Sequence, residues 1–124
     1  MAALSSILPP TNIVTTTNSV VLTNKTLTGY TETVYALSGT ALDPDNGTIQ
    51  TKTLTANTTF TDSLSSGQSL VLMLNAGASY TVTWPTITWY SGGGNEAPAL
   101  TAADILIFWK VSTTLYGAYA GSGE

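Results

Sequence analysis

Apolar residues along this chain recur with a period of two or in continuous runs of strand length, and nowhere at a sustained helical spacing. Residues 19–23 (SVVLT) predict a short strand, and residues 31–37 (TETVYAL) alternate as a second. Residues 43–47 (DPDNG) are a dense turn signal, read as a hairpin turn in which Asn46-Gly47 accepts positive φ. Residues 49–55 follow as a strand of interleaved apolar residues and threonines. The stretches 69–75 (SLVLMLN) and 104–111 (DILIFWKV) are continuous apolar runs, the pattern of strands buried on both faces. Between them Tyr80, Val82 and Trp84 alternate with Thr81 and Thr83. Pro85 cannot donate to a ladder, which places that strand at an edge or marks a bulge. Ile87 and Trp89 resume the alternation in the opposite parity, residues 91–95 (SGGGN) make a loop, and residues 114–119 close the fold. Residues 97–104 hold one short helical turn at most. The pattern predicts an all-β domain over residues 27–124, a β-sandwich or jelly-roll-like barrel of about 7–8 strands. The runs at 69–75, 79–84 and 105–111 are expected in its core.

Residues 1–26 have a different character, with no aromatic residue, a Pro9-Pro10 pair and the run Thr15-Thr16-Thr17. They predict an extended N-terminal arm. Its apolar side chains include Leu4, Ile7, Leu8, Ile13 and Val14. Left free, such a segment exposes strand edges and hydrophobic surface. It either packs on its own domain or adds to a neighbour's sheet by β-augmentation. Leu4, Ile7, Leu8, Ile13 and Val14 are therefore candidate assembly contacts, together with Trp89 and Tyr90 beside the glycine loop. Trp84 and Trp109 sit among apolar neighbours and are expected to fill the core. For Trp89 and Tyr90 the pattern leaves core packing and an exposed contact surface equally open.

Composition narrows the chemistry. The chain has no histidine, cysteine or arginine, and 8% of its residues are charged, against about 25% in an ordinary soluble domain. Proton carriers, nucleophiles and metal ligands are usually drawn from the missing types. The expectation is a protein that is not an enzyme and uses no cofactor and no metal. A formal net charge of −4, with Lys25, Lys52 and Lys110 scattered, disfavours nucleic acid and anionic lipid as partners. No apolar stretch reaches the roughly 18 residues of a membrane span. The first residues also lack the basic start of a signal peptide, so a soluble product made in the cytoplasm is expected. The 124 residues suit one domain.

Individual candidates for chemistry fall away on spacing. Asp43, Asp45 and Asn46 offer hard oxygen ligands, but an EF-hand loop counted from Asp43 wants glycine where Thr48 stands and an acid at Leu54. The sequons at Asn24, Asn46 and Asn57 are chance matches in a threonine-rich chain. Glu32, Asp62, Glu96 and Asp104 are isolated in sequence, and nothing singles out a glycosidase pair among them. The SGGGN loop lacks the Lys-Ser/Thr of a phosphate loop.

From Leu27 to Gly117 the chain resembles a β-domain of tailed-bacteriophage virion proteins. The stretches that carry the resemblance are Gly29-Tyr-Thr-Glu-Thr-Val34, Leu54-Thr-Ala-Asn-Thr-Thr-Phe60 and Ser69-Leu-Val-Leu-Met-Leu74. They continue with Tyr80-Thr-Val-Thr-Trp-Pro85, then Trp89 and a glycine loop leading to Ala97-Pro-Ala-Leu100. Asp104-Ile-Leu-Ile-Phe108 and Leu115-Tyr-Gly117 complete the order. The resemblance implies a structural or adhesive role without catalytic residues. Such domains often end a long tail fibre, whereas this chain has only a short arm before the domain. That feature favours a capsid decoration (cement) protein, with the major capsid protein as partner, a homotrimer as assembly and the virion, assembled in the host cytoplasm, as location. The alternative is a tail fibre or spike component that binds host surface glycan.

Overall fold

The computed structural model describes residues 14–123. The chain divides into two compact units, Met1–Tyr30 and Thr31–Glu124. In the first, residues 14–30 contain no strand, so the strand expected at 19–23 does not form. A strand needs a ladder partner, and no sheet of the described residues includes 19–23; a local turn lies just before them. The Thr15 N–H donates to Asn18 Oδ1 (2.8 Å) and the Asn18 N–H donates to Thr15 Oγ1 (3.2 Å), closing a side-chain turn. Of the arm contacts expected from sequence, Val14 is exposed, while Leu4, Ile7, Leu8 and Ile13 lie outside the described residues.

The second unit is all-β, in accord with the hydrophobic pattern, with 40% of the structure in strands and 3% helical. Ten strands occur among the described residues. Six form one mixed sheet: β1 (Val34–Ala36), β3 (Ile49–Thr53), β6 (Ser69–Asn75), β9 (Ala103–Val111), β10 (Thr114–Ser122) and β8 (Thr88–Tyr90), in that spatial order. The other four are two-residue pieces that pair as β2 (Ala41–Leu42) with β5 (Thr61–Asp62) and β4 (Thr58–Thr59) with β7 (Val82–Thr83).

The pairing departs from a purely antiparallel hairpin plan. β1, β3 and β6 run parallel, β9 is antiparallel to both β6 and β10, and β8 is parallel to β10. The Asp43–Gly47 turn is consequently no hairpin, because β2 and β3 pair with other strands. Parallel neighbours need crossovers of about a dozen residues or more. Residues 37–48 and 54–68 provide them, and carry Leu37, Leu42, Leu54, Phe60 and Leu64, all buried. Residues 97–104 hold no helix; a 3-10 turn lies instead at Gly77–Ser79, after β6.

The crossovers bury their apolar side chains against one face of the sheet, where Leu70, Leu72, Leu74, Leu106, Phe108 and Leu115 complete the core. Phe60 stacks on Trp84 with ring centres 4.9 Å apart, and Trp84 and Trp89 each meet Phe108 at 5.6 and 5.9 Å. Gly117 of β10 is where Trp89 lies down on the sheet: a β-carbon there would stand 2.8 Å from the indole ring. Of the alternating segment around Val82, only Val82 and Trp84 pack on the core, and Tyr80 stays exposed.

Candidate contact surface on the open face of the sheet

Alternation along β6 and β9 sends every second side chain away from the core. The two continuous apolar runs are therefore not buried on both faces. Leu70, Leu72 and Leu74 point in while Met73 is 44% exposed; Leu106 and Phe108 point in while Ile105 and Ile107 are each 37% exposed. The register extends this outward set across the whole sheet. One row joins Val34, Ile49, Val71, Ile107, Ala118 and Tyr90 through successive strand pairs. A second runs Ala36, Thr51, Met73, Ile105 and Gly121, and a third runs Ser69, Trp109, Tyr116 and Thr88.

The charged residues of the six strands are Lys52, Asp104 and Lys110, and all three belong to the inward rows. Each is tied down there. Lys110 Nζ donates to Asp62 Oδ2 at 2.6 Å and to the Leu64 carbonyl, joining β9 to β5. Lys52 Nζ donates to the Gly39 carbonyl at 2.8 Å. Asp104, 2% exposed, accepts hydrogen bonds from the Thr101 N–H, the Thr101 hydroxyl and the Tyr119 hydroxyl, each at 2.8 Å. A carboxylate so supplied with donors holds the end of β9 to β10 and the loop before it. The outward rows are left uncharged from edge to edge.

Aromatic rings occupy one corner of the open face. Trp109 stacks on Tyr116 with centres 5.6 Å apart and planes 12° from parallel, and Tyr90 lies 6.2 Å from both. With Val111 these rings line a shallow hollow of about 460 Å³. Trp109 therefore leaves the core that the sequence assigned to it: its parity on β9 is that of Ile105 and Ile107, opposite to Phe108. Trp89 and Tyr90 divide in the same way. Tyr90 is 62% exposed on the open face, whereas Trp89, 7% exposed, packs inside and is not a surface contact. The loop after β8 is held close, since the Trp89 N–H donates to Asn95 Oδ1 (2.6 Å) and the Ser91 hydroxyl donates to the Glu96 carbonyl (2.7 Å).

Several oxygens of the Asp43–Gly47 turn are used internally. Asp43 Oδ1 accepts the Asp45 N–H, Asp45 Oδ1 accepts from Gln68, and the buried Gln50 amide donates to the Asp43 and Gly47 carbonyls. Among the described residues no group of His, Cys, Asp or Glu gathers as a metal site. No helix of the described residues is long and apolar enough to cross a membrane. Comparison with protein-family models, with curated proteins and with solved structures found no match for this chain.

Proposed function

We propose that this protein is a structural component of a tailed-phage virion, a capsid decoration protein that acts as a homotrimer and binds the major capsid protein without catalysing a reaction. The observation that carries the reading is the open face: a six-stranded sheet whose outward rows are uncharged and rich in Ile, Met, Val, Trp and Tyr. Soluble monomers rarely leave so continuous an apolar surface, and where it occurs it marks an interaction site. The resemblance to virion β-domains supplies the kind of assembly, and the apolar arm, with Leu4, Ile7, Leu8, Ile13 and Val14, supplies a second surface for docking on the shell. Quantitative mass spectrometry of purified virions tests it. Hundreds of copies per particle are expected, and absence from the particle overturns the reading.

A second reading rests on the Tyr90–Trp109–Tyr116 corner. The stacked Trp109–Tyr116 pair with the exposed, tilted Tyr90 beside it is an aromatic surface on which the apolar face of a sugar can stack. It makes the protein a tail fibre or spike component that holds host surface glycan. A handful of copies per virion, together with retention on a glycan array that Trp109→Ala abolishes, decides for this reading.

A further inference from the structure

We propose that residues 91–95 form a latch that closes the β8 edge of the sheet against a strand of a second copy of this chain, with the Asn95 amide as its catch. The six-stranded sheet has two edges among the described residues, β1 and β8. A strand edge presents N–H and C=O groups on which another chain can pair. These two edges suit one another. β1, β3, β6, β10 and β8 all run in one direction, and only β9 runs against them. A second copy shifted across the strands therefore sets its β1 beside β8 in the parallel sense that β8 already has with β10. Such a contact joins two different edges, and each copy added leaves an edge free for the next.

The latch removes what that contact needs. The Trp89 N–H donates to Asn95 Oδ1 at 2.6 Å and so faces away from β10. Thr88 and Tyr90 on either side face β10 by the alternation of a strand, which leaves Trp89 as the one N–H that β8 directs outward. The Asn95 side chain ends in an amide carbonyl, the same acceptor group as a peptide bond. It occupies the place that a carbonyl of a seventh strand would take.

The loop is shaped to bring Asn95 back to the strand it has just left. Gly92 and Gly94 have φ of 80° and 103°, where a β-carbon is strained. The Ser91 hydroxyl donates to the Glu96 carbonyl at 2.7 Å and fastens the return. Beside this contact lies a hollow of about 510 Å³, lined by Thr88 and Tyr90 of the strand and by Gly92 and Asn95 of the loop. The edge is thus guarded by a hydrogen bond more than by a packed layer. At the opposite edge the Ile49 N–H donates to the Thr33 carbonyl and the Leu37 N–H to the Thr51 carbonyl. Thr33 and Leu37 therefore face β3, and Val34 and Ala36 turn their N–H groups outward.

Hydrogen exchange read by NMR, with light scattering up to about 1 mM, tests the latch. In Asn95→Ala the Trp89 amide is expected to exchange about tenfold faster than in the parent, while the amide of Phe108, in a central strand, is unchanged. The same variant is expected to form species that grow with concentration past the mass the parent holds. Asn95→Asp keeps an acceptor in place and is expected to restore slow exchange at Trp89. Adding Ala36→Pro to Asn95→Ala removes an outward N–H from β1 and is expected to stop the growth.

A Trp89 amide that exchanges no faster in Asn95→Ala overturns the inference. Faster exchange without growth past the parent's mass also overturns it, as does growth that Ala36→Pro leaves intact or a parent that already grows without limit. The latch is read on the isolated chain, so presence or absence of the protein on virions bears on the decoration role alone.

Discussion

The two faces of the central sheet are built from the same strands and nearly the same residue types, yet they do opposite work. On the inner face Leu70, Leu72, Leu106 and Phe108 are sealed beneath the crossovers, and the charged Lys110 and Asp104 are paired and hydrogen-bonded. On the outer face Met73, Ile105, Ile107 and Trp109 have comparable hydrophobicity and face solvent. Hydrophobicity at a position therefore does not say whether the chain itself covers it. What covers a strand is the path of the connections, and here those before β3 and β6 contribute their buried side chains to one side.

Adjacent residues of β9 make the contrast measurable at protein concentrations low enough for monomers. Phe108→Ala empties a fully buried ring site and is expected to cost about 3–5 kcal/mol. Ile107→Ser, one residue away, is expected to change unfolding free energy by less than about 1 kcal/mol. Equal losses in urea unfolding would show that the outer face is covered after all.

β10 sharpens the same comparison. Gly117→Ala places a methyl group against the Trp89 ring and is expected to destabilise by about 1–3 kcal/mol. Ala118→Ser, on the open face, is expected to stay within about 0.5 kcal/mol. Thermal unfolding of the two variants side by side checks it, and a harmless Gly117→Ala would mean that Trp89 is not seated on the glycine.

Trp109→Ala distinguishes the sequence expectation from the structure. A tryptophan in the core loses about 3–5 kcal/mol on truncation. One that stacks on Tyr116 at the surface is expected to lose about 1 kcal/mol. Chemical denaturation separates the two values.

The smallest effect concerns hydroxyls. Tyr119→Phe removes one donor from Asp104 and is expected to cost about 1 kcal/mol. Tyr116→Phe, whose ring belongs to the outward row, is expected to be neutral in the monomer. A reversal of that order would place the Asp104 cluster outside the stabilising framework.

Much of this architecture was legible in the residues. The period-two pattern and the threonine content place β3, β6, β9 and β10 within a few residues of their observed spans, because alternation is a local consequence of strand geometry. Ile87 and Trp89 both turn inward, a side that the parity change across Pro85 does not assign, and for Trp89 the pattern leaves a surface contact equally open. The local signals misled where a longer-range choice intervened. The apolar residues 19–23 have no partner strand in any sheet of the described residues and so form no strand themselves. Parallel pairing replaced the hairpin expected at Asp43–Gly47, because Asn-Gly fixes a reversal of the chain and not which strand lies beside it.

The candidate surface divides along the same line. The sequence alone determined that the chain is all-β, that it lacks histidine, cysteine and arginine, and that Tyr90 belongs to a pair of aromatics beside a glycine loop. Continuous apolar runs at 69–75 and 104–111 were also plain, but a run apolar at every position carries no parity and so cannot say which side is inner. Only the tertiary structure decided that. The burial of the crossovers assigned Leu70, Phe108 and Trp89 to the core, and the register then carried Trp109 and Tyr116 to the opposite face beside Tyr90. Strand pairing transmits one inside-or-outside choice to every strand of the sheet, and that choice rests on contacts far apart in the chain.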